Sequence, residues 1–155
     1  MNQRRRQALK TGAGLGTLGA LVAAGLISPG AALAQDWKAA FETRSLPDTI
    51  KALGGTTAAD SKDITITAPD IAENGAVVPV AVASTIPNTE SISILVEKNP
   101  NLLAASFNFP AGTETSVGTR VKMGQTSNVT ALVKADGKFY VATKEIKVTL
   151  GGCGG

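Results

Sequence analysis

Ser116-Val117-Gly118-Thr119-Arg120-Val121-Lys122-Met123 decides the fold: Val117, Thr119, Val121 and Met123 alternate with Ser116, Gly118, Arg120 and Lys122. A period of two places the two sets on opposite faces of an extended chain, the pattern of an antiparallel strand with one dry and one wet face. The same period continues in both directions. Upstream, Ile64, Ile66 and Ala68 alternate with threonines, Ile92, Ile94 and Val96 with Ser91, Ser93 and Glu97, and Leu103, Ala105, Phe107 and Phe109 make one apolar face. Downstream come Val129, Ala131 and Val133, a turn at Asp136-Gly137, and a last strand carrying Phe139 and Val141, then Ile146, Val148 and Leu150. Thr143-Lys144 marks a potential break in that last strand. Seven or so short strands without intervening helices predict a mainly β domain over residues 63–150, an immunoglobulin-like antiparallel β-sandwich, with a closed barrel as the alternative. The Cys…Trp…Cys pattern of antibody domains is absent, because Trp37 precedes the strands and Cys153 follows them. About 120 residues bury a core without needing a disulfide.

One stretch departs from alternation. Ala76-Val77-Val78-Pro79-Val80-Ala81-Val82-Ala83 is apolar on both faces, so one face must meet something besides its own core. A partner subunit would cover it, with Val77, Val78, Val80 and Val82 as interface candidates; the N-terminal helices would do so equally well. Pro79 lacks a donor, which places it at an edge or a bulge.

Residues 35–62 read as helical. Trp37, Ala40 and Phe41 fall at i, i+3 and i+4, and Leu46, Ile50 and Leu53 at i, i+4 and i+7, as two short helices. Ser45 is the expected N-cap of the second, with Pro47 in its first turn and Asp48 at the capping-box position; Gly54-Gly55 ends it.

The 155 residues contain no histidine and one cysteine. That removes Ser-His-Asp and Cys-His triads, histidine acid/base catalysis, His/Cys metal cages and CxxC redox pairs. The formal charge of +3 is misleading. Arg4, Arg5, Arg6 and Lys10 lie within residues 1–34, which hold no acid; the other 121 residues carry 11 basic and 12 acidic groups, net −1, and give no reason to expect a nucleic-acid partner. Residues 1–34 have the form of an export signal: a charged start, a 17-residue weakly apolar stretch interrupted by five glycines, and Ala32-Leu33-Ala34 as an A-x-A cleavage site. The stretch is shorter than the roughly 20 apolar residues of a membrane span. Arg5 and Arg6, followed by Gln7-Ala8-Leu9-Lys10, resemble the twin-arginine consensus. The expectation is a mature chain from Gln35, exported by the twin-arginine route to the periplasm and free of the membrane after cleavage.

The carrier of chemistry is the end of the chain, Gly151-Gly152-Cys153-Gly154-Gly155. Glycine has no Cβ and adopts both signs of φ, so such an arm is pliant and enters channels too narrow for side chains. Fully extended, five residues reach about 17 Å. A catalytic thiol needs rigid positioning and a base, and this one has neither. The Gly155 carboxylate is two residues away, while Lys144 and Lys147 are at least six residues back, so nothing nearby favours a thiolate. The thiol is suited to being delivered. The competing reading is an exported interaction module whose cysteine serves only intermolecular disulfide dimerisation. Asp60, Asp63, Asp70 and Glu73 cluster in sequence without calcium-loop spacing and read as loop charges, and no metal site is expected.

The twin-arginine-type start, the stretch Ala68-Pro69-Asp70-Ile71-Ala72-Glu73-Asn74-Gly75-Ala76-Val77-Val78-Pro79-Val80 and the GGCGG end together resemble the Y subunit of the bacterial Sox thiosulfate-oxidation system, along the whole chain. The resemblance implies a carrier rather than an enzyme, without a cofactor of its own, whose Cys153 holds the substrate covalently. It implies a heterodimer with an immunoglobulin-like Z subunit that is exported with it, and a heterotetramer when two Cys153 thiols form a disulfide. It further implies visits to a c-type cytochrome that couples thiosulfate to the cysteine, a dimanganese hydrolase that releases sulfate, and, where present, a molybdenum–haem sulfur dehydrogenase.

Overall fold

The structure, a computed structural model, describes residues 37–149. Arg5, Arg6, Ala32 and Ala34 of the expected export signal, and Gly151, Gly152, Cys153, Gly154 and Gly155 of the expected arm, lie outside the described residues, as does Leu150. Two helices, α1 (Trp37–Glu42) and α2 (Leu46–Ala52), precede nine strands: β1 (Ala58–Asp60), β2 (Ile64–Thr67), β3 (Ile71–Ala72), β4 (Val78–Ser84), β5 (Thr89–Val96), β6 (Leu103–Asn108), β7 (Ser116–Val121), β8 (Ser127–Ala135) and β9 (Lys138–Val148). No helix among the described residues is long and apolar enough to cross a membrane.

The strands form the expected immunoglobulin-like sandwich. The larger sheet has the order β1-β9-β8-β5-β6, with β3 also on β9, and the smaller the order β2-β4-β7. Between them lies a core that includes Ile64, Val78, Val80, Val82, Ile92, Ile94, Val96, Val121, Met123, Val129, Val133 and Ile146. Val121 and Met123 of the alternating stretch point into it, while Arg120 and Lys122 are exposed, as the period of two dictates. A second cluster on the far face of the larger sheet joins Leu95, Leu103, Leu132, Phe139 and Val141 to Ala40, Ile50 and Leu53 from the helical segment. The helices therefore form a third layer on the larger sheet.

Local signals operate as expected around α2 and the hairpin. Ser45 caps α2 by accepting from Asp48 N–H, and Pro47 occupies the first turn, where a missing donor costs nothing. Gly54 ends the helix at φ +86°. Gly55 packs so tightly that a Cβ there would lie 2.5 Å from Phe139 ring carbons. Asp136 (φ 48°) and Gly137 (φ 71°) make the two-residue turn joining β8 to β9.

Several expectations need correction. The most consequential concerns the two-faced strand. Val78, Val80 and Val82 are 0–1% exposed in the inter-sheet core and are not a partner surface; of the four candidates only Val77, 53% exposed, is on the outside. The face needing a cover is the opposite one, Pro79, Ala81 and Ala83, and the helices are not on it, since they pack on the other sheet. β4 is the central strand of its sheet, yet β2 pairs only as far as Ala81, so at Pro79 the sheet is locally two-stranded and tolerates a residue without a donor. Thr143-Lys144 does not break β9, which runs unbroken over 11 residues. Leu103 and Phe107 do not share a face. The register shifts between Ile94 and Leu95, leaving Ala104 as an extra residue, so Leu103 turns to the helix side while Phe107 faces the inter-sheet core. Residues 35–62, expected to be helical, include β1, and neither β1 nor β3 was expected; both pair with β9 in parallel.

Candidate functional site at the root of the carboxy-terminal arm

Cys153 lies beyond the described residues, but the place from which its arm departs is defined in detail. Thr149 follows β9 directly. Its N–H donates to the Ala72 carbonyl at 3.1 Å and its hydroxyl to the Glu73 carbonyl at 3.3 Å. One residue back, Val148 N–H donates to Thr126 Oγ1 at 3.0 Å, and two back, Lys147 N–H donates to the Asp70 carbonyl at 2.9 Å. The segment 68–73 thus lies along the end of β9 as a short parallel strand, with Ile71 opposite Lys147 and Ala72 opposite Val148. Ala72 and Ile146 belong to the inter-sheet core, which ties this root to the body.

A cation completes the fastening. Lys144 Nζ donates to the Ala68 carbonyl at 2.7 Å and pairs with Asp70 at 2.9 Å. The hydrogen bond that Lys144 donates to the Asp70 carboxylate and the Lys144 charge, with a smaller contribution from Lys147, hold the Asp70 carboxyl below the usual carboxylate range. Asp70 is 88% exposed, so the pair contributes little to global stability and acts as a local restraint. Of the four carboxylates noted in sequence, Asp70 has this definite role. Asp63 receives Ser61 Oγ and Asp60 is an exposed residue of β1, consistent with loop and surface charges.

Cys153 is four residues beyond Thr149, which limits its Cα to about 14 Å from the root.

Elsewhere the described surface is chemically quiet. No three His, Cys, Asp or Glu residues gather into a metal site, and every buried side-chain polar atom has a hydrogen-bond partner, among the described residues. A cleft of about 580 Å³ opens at the far end of the sandwich near Ser84, Glu90 and Asp136. Its carboxylates are engaged: Glu90 accepts from Gly137 N–H and pairs with Lys134, and Asp136 accepts from Asn88. A shallower groove of about 370 Å³ follows the outer face of the smaller sheet, lined by Thr67, Pro79, Ala81, Gly118 and Arg120. Sequence reasoning missed the fastening of β9 by residues 68–73. The available signal was the charge pairing of Asp70 with Lys144, a residue 74 positions away, in a stretch whose acids were read as loop charges.

A search of curated proteins finds no match. Among solved structures, the chain is similar to the sulfur carrier protein SoxY from Chlorobium limicola f thiosulfatophilum, with 42% identity over 66% of this chain and 94% of that chain and a TM-score of 0.61. It is similar at 23% identity to the superoxide reductase (neelaredoxin) from Ignicoccus hospitalis, over 55% of this chain and 79% of that one, with a TM-score of 0.49. The family model of the sulfur oxidation protein SoxY matches residues 50–153, from α2 through the sandwich to the cysteine itself. By that match over more than half its length, the chain belongs to the SoxY family of sulfur oxidation proteins.

Proposed function

We propose that the chain is a periplasmic covalent carrier of sulfur intermediates in thiosulfate oxidation, with Cys153 as the attachment point and Gly151, Gly152, Gly154 and Gly155 as its pliant arm. The observation that carries this reading is the family match, which runs to Cys153. The related chain from Chlorobium is itself named a sulfur carrier. The body's role is to hold the arm's root, and the enzymes that act on the sulfur are separate proteins, consistent with a molecule that has no histidine.

The chemistry follows from a thiol without a base. Oxidative coupling joins the Cys153 sulfur to the outer sulfur of thiosulfate, and two electrons leave to the c-type cytochrome. Water then attacks the terminal sulfonate in the hydrolase; sulfate and two protons depart and a persulfide remains on Cys153. Where a sulfur dehydrogenase is present, three waters and the loss of six electrons and six protons convert that sulfur to a sulfonate, and a second hydrolysis returns the thiolate. Tethering keeps reactive sulfur at high effective concentration near each enzyme and prevents its escape. The partner in the carrier complex is the Z subunit. Its contact on this chain is the outer face of β4, Pro79, Ala81 and Ala83, rather than the buried valines.

The test is a non-reducing intact-mass spectrum of the protein from the periplasm of thiosulfate-grown cells, with a Cys153→Ser control. Reductant-sensitive sulfur or sulfonate adducts on a chain starting at Gln35, absent from the control, are expected. A bare thiol or disulfide dimer alone during turnover would replace this reading with the dimerising module.

A further inference from the structure

The loop between β3 and β4 contains the chain's single Asn-Gly pair, Asn74-Gly75; every other asparagine is followed by a residue with a side chain. Glycine has no Cβ to shield its peptide nitrogen, so the carboxamide of a preceding asparagine can approach that nitrogen closely.

The fold brings the two groups together. Asn74 Oδ1 accepts from Ala76 N–H at 2.8 Å, which folds the carboxamide back across the Gly75 peptide. Both flanking carbonyls are anchored: Asn74 C=O accepts from Val77 N–H at 3.5 Å, and Gly75 C=O from Met123 N–H at 2.7 Å. Gly75 N–H, by contrast, has no hydrogen-bond partner among the described residues. Asn74 is exposed, so ammonia can leave and water can arrive. Ala76 N–H is also a donor aimed at the oxygen on which negative charge develops when the carboxamide carbon is attacked.

We propose that Asn74 is a self-modification site. The Gly75 nitrogen bonds to Asn74 Cγ, the bond from Cγ to the side-chain nitrogen breaks, and ammonia departs with the Gly75 amide proton, leaving a five-membered succinimide. Water then adds to either ring carbonyl and opens the ring to aspartate or isoaspartate at position 74. Water is the sole co-reactant, and nothing is oxidised or reduced. Isoaspartate routes the backbone through the former side chain, adding one methylene and one negative charge. The added carbon falls between the Glu73 carbonyl, which holds the Thr149 hydroxyl, and the Gly75 carbonyl, which holds Met123 N–H. Those two anchors then lose their common register and the loop loosens. The modification is independent of whether Cys153 carries sulfur.

The experiment incubates the freshly purified, folded protein at neutral pH for several weeks and follows the tryptic peptide covering residues 63–98, which contains both Asn74 and Asn88. Position 74 is expected to gain the mass of an amide-to-acid exchange and to accept a methyl group from an isoaspartate-specific carboxyl methyltransferase. Its conversion is expected to run about tenfold faster than that of Asn88, whose following threonine shields the nitrogen. The converted form, separated by anion exchange, is expected to exchange the Met123 amide several-fold faster than the fresh protein. An intact carboxamide at Asn74 in the folded chain, while the same chain in urea converts, overturns the proposal, because the fold then protects the site. Equal conversion at Asn74 and Asn88 overturns it as well, and so does an unchanged Met123 amide in the converted form.

Discussion

Single residues divide sharply between those whose neighbours are fixed and those facing solvent. Gly55 is the clearest case. Its missing Cβ is the space occupied by the Phe139 ring, with Ile50 Cγ2 at 2.9 Å on another side, and both neighbours are buried. Gly55→Ala forces that packing apart and is expected to cost about 1–3 kcal/mol, read as a lowered urea midpoint with an unchanged slope. The sequence marked Gly54-Gly55 as a helix stop, which Gly54 fulfils by its positive φ. It held no sign that the second glycine is required by a ring 84 residues away, because that contact is created by the third layer of the fold. The valines of β4 teach the same lesson in reverse. A run apolar on both faces announces that something covers each face, but periodicity alone does not say which face is the core, and Val80 belongs to it.

At the scale of elements, the legible ones are those with a period or a cap. α2, the Asp136-Gly137 turn and the alternating strands carry their own instructions in local chemistry. β1 and β3 have three and two residues, too few to show any period, and exist because β9 offers them an edge. The β3 pairing is also where pH acts. The Asp70 carboxyl titrates below its unfolded value, so its ion pair is fully present above the unfolded pKa and is lost as pH falls through the lower folded value. Hydrogen exchange at the Lys147 and Thr149 amides is therefore expected to be pH-insensitive, beyond the intrinsic rate, down to about pH 4 and to lose protection below it. Asp70→Asn is expected to produce the same loosening at pH 7, several-fold faster exchange at those two amides, with the global melting temperature unchanged. Equal protection in wild type and variant would mean that the backbone ladder alone holds the root.

At the scale of the whole fold, the described residues form a scaffold with three layers, and among them no other layer covers the outer face of the smaller sheet. Small side chains make that face flat: Ala81 is opposite Gly118, and Ala83 opposite Ser116. The carrier complex is expected to form there. Ala81→Arg is expected to abolish heterodimerisation with the Z subunit on size exclusion and to leave the unfolding free energy of the isolated chain within about 0.5 kcal/mol of wild type. A charge at Val80 would enter the core and report on folding instead. The overall sandwich was legible because seven alternating strands without helices between them admit few architectures. The expected carrier arm rests on the sequence alone, on glycines that surround the sole cysteine. The surface between the arm and the sandwich was not, since exposure depends on which residues the other strands leave uncovered.

The unbroken β9 has one more consequence, a mechanical one. An enzyme that grips the arm pulls on Thr149 along the axis of a strand that pairs with β8 over nine successive positions and is flanked on its other edge by β1 and β3. Tension in that direction loads the ladders in shear, so many hydrogen bonds share it at once, instead of unzipping them one after another from an end. The carrier is built so that tugging on its cargo does not unravel the frame that holds it.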